Sequence, residues 1–297
     1  MFEKLKANML FKSLLKRPDI SKAYKMVDES DSWYDTISCV HRSLDEIKKN
    51  HREILEINSF DNYKLKAIYY PCKNSSKTMI WVHGYTSHAE RESAFPSLFY
   101  RSLGYNVLIP YLRAHDISQG KYISFGALES KDLLLWVNKV NEINKQGSII
   151  IHGLSMGGGV ALFACNKEME NVKAIIADAP STSIRDFFNN VSKEFFKEEG
   201  EKVAMHAINR FEKEFNVNID DYNAINIVKD SKYPILLSAG SNEHMDEELN
   251  MLKDNNPIYS EVIILPGCNH GNGMYKQTKL YQDKIKEFIE KYVKKNN

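Results

Sequence analysis

A serine hydroxyl attacks a carbonyl only when a base takes its proton and a third group orients that base. One serine among the 297 residues has a setting built for this: the apolar run Ser148 to Ile151 leads through His152 into Gly153-Leu154-Ser155-Met156-Gly157, then two more glycines and an alanine-rich stretch. This pattern reads as strand, sharp turn and helix, and G-x-S-x-G in that order is the nucleophile elbow, which lifts a serine out of a sheet on a strained backbone. Ser155 is the candidate nucleophile, at a helix N-terminus whose open N–H groups favour developing negative charge.

The base is best sought in Pro266-Gly267-Cys268-Asn269-His270-Gly271-Asn272-Gly273, a loop after an apolar strand whose glycines let an imidazole sit at a tight bend. His270 is that base, with His83 and His152, each before a glycine at a strand end, as structural neighbours. For the carboxylate, Glu243 follows the strand Pro234 to Leu237 and gives the chain order Ser, acid, His. Asp178, at the end of the preceding strand, is the alternative acid, and Asp246 is a third candidate. Acyl transfer also needs oxyanion donors. The backbone N–H of Met156, just after the nucleophile, is one, and that of Tyr85, after the strand ending in His83-Gly84, is the other.

The elements that must carry these residues follow from hydrophobic period. Ile54 to Ile57 and Leu65 to Tyr70 flank Asp61-Asn62 and read as an antiparallel hairpin at a sheet edge. Strands follow at Thr78 to Val82, Asn106 to Tyr111, the elbow strand, Val172 to Ala177, Pro234 to Leu237 and Val262 to Leu265. Helical patterns run from about Glu92 to Leu103 and from Phe125 to Asn144. Strands separated by helices imply a mostly parallel sheet with helices on both faces, an α/β fold whose ligand site lies beyond the carboxyl ends of the strands.

Three segments are expected: residues 1–52 as an N-terminal helical piece without a chemical motif, 53–180 with 231–297 as the α/β core, and 181–230 as a helical cap insertion. Long excursions of that kind are usually functional. Phe187, Phe188 and Phe211 are its candidate pocket residues, with packing on the core as the alternative role.

Forty basic and 39 acidic residues give a formal charge of +1, which offers no footprint for nucleic acid. Cys39, Cys72, Cys165 and Cys268 lack paired short spacing, so reduced thiols in a cytoplasmic protein are expected, with no metal and no cofactor. No apolar run reaches the roughly 18 residues needed to span a bilayer. The basic N-terminus places Phe2, Leu5, Met9, Leu10 and Leu14 on one helix face, either packed on its own domain or touching a membrane surface, and it is too broken for a signal peptide.

With these residues placed, the chain resembles the bacterial α/β-hydrolases of the serine type, the group that includes carboxylesterase-like and cell-surface-hydrolase-type members. The likeness runs from about Ser59 onward through SFDNYKLKAIYYP, WVHGY, RAHDISQGKYISFGALESKDLLLWV, IIHGLSMGGG, VKAIIADAPSTS and PGCNHG. It implies an α/β-hydrolase fold with Ser155 as nucleophile, His270 as base, and Tyr85 and Met156 as oxyanion donors. Arg113-Ala114-His115-Asp116 stands where the family commonly has Arg-x-His-Gly. At the acid, Ser238-Ala239-Gly240-Ser241-Asn242-Glu243 replaces a His-Gly-x-x-Asp context, so a longer carboxylate must reach the imidazole. The expected activity is cleavage of a small-molecule carboxylic ester through an acyl-enzyme. Amide or thioester hydrolysis and acyl transfer remain open with the same residues, as does a non-catalytic binding protein on the same fold.

Overall fold

The computed structural model describes residues 2–293, the side chain of Lys22 excepted; Met1 and residues 294–297, at the outer ends of the first and last expected segments, lie outside the described residues. Helices α1 (Phe2–Leu15) and α2 (Tyr34–Ile47) precede a hairpin of β1 (Glu53–Asn58) and β2 (Lys64–Tyr70). Then come β3 (Lys77–Val82), α3 (Ala89–Ser102), β4 (Asn106–Pro110), α4 (Glu129–Ile143), β5 (Ser148–Leu154), α5 (Met156–Ala164) and β6 (Val172–Asp178). Helices α6 (Ile184–Phe196), α7 (Gly200–Phe215) and α8 (Ala224–Ile227) separate β6 from β7 (Ile235–Gly240). The chain continues through α9 (Asp246–Asn255), β8 (Ser260–Leu265), α10 (Gly273–Lys276) and α11 (Thr278–Tyr292).

The eight strands form one sheet in the order β1-β2-β4-β3-β5-β6-β7-β8. The first two are antiparallel to their neighbours and the remaining six run parallel. The hairpin turns where Asp61-Asn62 predicts it, with Asn62 at φ 66. Parallel strands require crossovers, and these lay helices on both faces of the sheet. Two separate hydrophobic clusters result, one with residues of α1, α4, α5 and α7, the other with residues of α2, α3 and α11. Every residue of β5 is buried, as its position in mid-sheet demands.

Two boundaries differ from the sequence pattern for local reasons. Helix α4 starts at Glu129 and not at Phe125, because Phe125 (φ 52) and Gly126 (φ 105) are left-handed. The Glu129 carboxylate accepts from the backbone N–H groups of Ser124 and Gly126, both at 2.8 Å, and so closes that turn. In α1 the packed residues are Ala7, Leu10, Phe11 and Leu15, while Phe2, Leu5 and Met9 are exposed. The apolar residues of this helix lie on more than one side, so spacing alone picks the wrong face; α7 decides it, with the Arg210 guanidinium 4.0 Å from the Phe11 ring centroid. Among the described residues no helix is long and apolar enough to cross a membrane.

Candidate active site

The elbow is built by close approach. Ser155 takes φ 57 and ψ −119, a combination unfavourable for a residue with a Cβ, so the surroundings must over-determine it. A Cβ on Gly153 would sit 2.1 Å from the Gly157 carbonyl oxygen, and one on Gly157 would sit 1.9 Å from that of Val82. The turn therefore accepts only glycine on either side of Leu154-Ser155-Met156. The Ser155 N–H donates to the Asp178 carbonyl at 2.8 Å, which ties the turn to the end of β6.

The loop after β8 brings His270 across the strand ends. Its Nε2 lies 2.9 Å from Ser155 Oγ and its Nδ1 lies 2.5 Å from Glu243 Oε2. The second Glu243 oxygen accepts from the Gly240 N–H at 2.7 Å. Acid loop and histidine loop are stitched together as well: Asn242 N donates to Cys268 O at 3.0 Å, and Asn242 Nδ2 to Asn269 Oδ1 at 2.8 Å. Glu243 lies in a 3-10 turn, Ser241–Glu243, and through it the longer side chain meets the imidazole. The hydrogen bond that His270 Nδ1 donates to Glu243 raises the His270 pKa above 6.5, against the opposing pull of burial.

Asp178 does not take that place. It is 3% exposed, accepts from Ser238 Oγ at 2.9 Å, and its other oxygen has no partner among the described residues. Burial pushes its pKa up to about 6. Asp246 opens α9 and is not bonded to His270. The structure thus joins Ser155, His270 and Glu243 and leaves both other carboxyls outside the line.

Met156 is the first residue of α5, so its N–H belongs to the first turn, which lacks intrahelical acceptors. Tyr85 follows β3, and its phenol donates to the Leu14 carbonyl at 2.6 Å, so its ring fills the space under the end of α1. Beneath Tyr85 lies a group that motif reading overlooks. Glu92 is 2% exposed; it accepts from Trp81 Nε1 at 2.9 Å and from the Gly84 N–H at 3.1 and 3.2 Å to its two oxygens. Burial raises its pKa to about 7. Its trace in the sequence is positional, because Glu92 occupies the same helical face as Phe95 and Phe99, where an apolar residue is expected.

A cavity of about 640 Å³ opens above Ser155. One wall comes from Gly84 to Ser87, Glu92, Leu154, Ser155, His270 and Gly271. The rest of the lining comes from Asp19, Ala23, Tyr24 and Trp33 in the stretch joining α1 to α2, and from Ile37 in the first turn of α2, all of which motif reading passes over. Phe187, Phe188 and Phe211 are not among its lining residues, which corrects the expected pocket. Phe188 and Phe211 are fully buried and pack edge to face, 5.5 Å between centroids, because α6 and α7 bury their apolar faces against each other. Phe187 stacks on Phe125 at 3.8 Å.

His83 and His152 are core residues. His83 Nε2 accepts from Leu112 N at 3.1 Å, and His152 bridges the hydroxyls of Tyr100 (3.0 Å) and Tyr281 (3.1 Å). Burial depresses the His152 pKa to about 3, so it stays neutral. Asp116 takes φ 42 and Ala114 φ 59, left-handed values that glycine adopts at no steric cost; Arg113, 2% exposed, anchors this turn on Asp132 and Asp61. Among the described residues no group of three or more His, Cys, Asp or Glu is arranged to hold a metal ion.

The family model described as serine aminopeptidase, S33 (Hydrolase_4) matches residues 73–245, a range that holds Ser155 and Glu243 but ends before His270. Protein YqkD of Bacillus subtilis (strain 168), itself uncharacterized, is 32% identical over 154 residues, 51% of this chain and 48% of that protein. Protein bem46 of Schizosaccharomyces pombe is 26% identical over 117 residues, 39% of each. The chain thus spans less than half the length of these curated relatives. Among solved structures, the Pyrococcus furiosus esterase Pf2001 superposes with a TM-score of 0.64 at 26% identity, covering 90% of this chain and 97% of that one. An α/β-hydrolase of Vibrio vulnificus shares the fold at 18% identity, with a TM-score of 0.64 over 94% of this chain and 92% of that one. A family match across more than half of the sequence, on a sheet of this order with its elbow after the middle strand, places the chain in the family: it belongs to the serine aminopeptidase S33 family of the α/β-hydrolase superfamily.

Proposed function

We propose that the protein cleaves a carboxylic ester by a Ser-His-acid triad of Ser155, His270 and Glu243. The observation that carries this reading is the unbroken line of hydrogen bonds, 2.9 Å from Ser155 Oγ to His270 Nε2 and 2.5 Å from His270 Nδ1 to Glu243. Ser155 attacks the ester carbonyl as its proton passes to His270 Nε2, and the imidazolium is stabilised by Glu243. The backbone N–H groups of Met156 and Tyr85 hold the oxyanion. His270 then gives its proton to the departing alkoxide, leaving an acyl-Ser155 that water hydrolyses by the same steps in reverse roles. The likeness to an esterase over nearly the whole of both chains supports an ester as the bond cleaved.

A fluorophosphonate probe tests this directly. Wild type is expected to label at one serine and Ser155→Ala not at all, and an unlabelled, folded wild type would overturn the reading. Amide cleavage is the second reading, favoured by the family's description. Matched p-nitrophenyl esters and p-nitroanilides of the same acid separate the two, because only an amidase turns over the anilide at a comparable rate.

A further inference from the structure

The geometry points to the stretch from Asp19 to Ile37 as the specificity wall of this site, with Tyr24 and Trp33 receiving an aryl or similarly bulky apolar group of the ester. The inference rests on the ester-cleaving reading and adds a substrate class to it. The cavity volume, about 640 Å³, is that of a site for a drug-sized ligand and far exceeds what an acetyl group fills. Its outer wall is aromatic and aliphatic through Tyr24, Trp33 and Ile37, and Tyr85 adds a third ring from the core side.

The strap is held in place at both ends. Arg17 and Ile123 bind it near α1: Arg17 Nη1 donates to Ser118 O at 2.8 Å, and Ile123 N donates to Leu15 O at 2.7 Å. In the middle, Arg91 Nη1 donates to Ala23 O at 2.7 Å and His41 Nε2 to Tyr24 O at 2.8 Å. Between these two clamps Tyr24 takes φ 54, a conformation costly for an aromatic residue and maintained only by its surroundings. Tyr24 lines the cavity together with Glu92, and burial and the nearby Glu92 push its phenol pKa well up. Trp33 is fixed where α2 begins, its N–H on Asp31 Oδ1 at 2.8 Å and its carbonyl on Ile37 N at 2.8 Å.

Tryptophan emission reads the proposal without turnover. Trp81 and Trp136 are fully buried in the core, and Trp33 is the remaining one of three. Titrating folded Ser155→Ala with methyl phenylacetate is expected to change the indole emission saturably, and Ser155→Ala combined with Trp33→Phe is expected to lose that change. In the active enzyme, kcat/KM for p-nitrophenyl phenylacetate relative to acetate is expected to fall roughly tenfold in Trp33→Ala and in Tyr24→Gly, mainly through KM. Phe195→Ala, on the exposed side of the helical insertion, is the control and keeps the ratio. An unchanged ratio in both strap variants, with the fluorophosphonate still labelling Ser155, overturns the strap assignment and leaves the hydrolase reading intact. A saturable emission change without any labelling or turnover in wild type overturns the hydrolase reading and retains the binding wall.

Discussion

Glu243 is fixed at both oxygens, one 2.5 Å from His270 Nδ1 and the other 2.7 Å from the Gly240 N–H, so the carboxylate has no rotational freedom left. Glu243→Gln is therefore expected to lower kcat on p-nitrophenyl acetate by about 10³- to 10⁴-fold, the scale of losing the group that sets the imidazole tautomer. Asp178→Asn is expected to stay within about tenfold of wild type, since Asp178 accepts from Ser238 Oγ and makes no hydrogen bond to His270. The opposite ranking would move the acid to the end of β6.

The same contact sets the pH profile. His270 must be neutral to accept the Ser155 proton, and its pKa is raised by Glu243, so kcat/KM is expected to rise with pH through a midpoint above 6.5. Residual activity of Glu243→Gln should show that midpoint at lower pH. A midpoint unmoved by the substitution would mean that another group titrates.

Glu92 predicts a separate effect on stability. Its folded pKa, about 7, lies above the unfolded value near 4.5, so the folded state holds the extra proton and stability falls as pH rises between those values. The penalty at pH 8 is on the order of 3 kcal/mol. Glu92→Gln cannot ionise, so its Tm is expected to decline less than that of wild type between pH 5 and pH 8; parallel declines would refute the assignment. His270, Tyr24 and Tyr275 also face this carboxyl. The profile is therefore best compared in the Ser155→Ala background, where catalysis does not interfere.

Phe188 tests what the phenylalanines do. Phe188→Ala removes a fully buried ring packed on Phe211 and is expected to cost about 3 to 5 kcal/mol, visible as a lower urea midpoint. If its main effect were instead on acyl-chain selectivity, with the urea midpoint unchanged, the pocket would have to be redrawn to include α6.

What the sequence discloses depends on how local the constraint is. The elbow is legible because two glycines and a β-branched strand encode it within a dozen residues, and the sheet because its period repeats. His270 is legible for the same reason, through the glycines around it. Choosing between Glu243 and Asp178 requires knowing which strand-end loop reaches the imidazole, and the bonds from Asn242 to Cys268 and Asn269 that decide it join residues about 26 positions apart. Glu92 and the strap are less visible still. A buried glutamate has the same letter as a surface one, and Tyr24 and Trp33 gain meaning only because α1 and α2 are docked on opposite faces of the sheet.

The family match begins at residue 73, beyond the stretch from Asp19 to Ile37 that supplies part of the lining of the cavity over Ser155. Chemistry and enclosure are thus written in separate parts of the chain. Changes of composition between residues 19 and 37 are therefore expected to alter what fits over Ser155 without moving a strand, the elbow or the histidine loop.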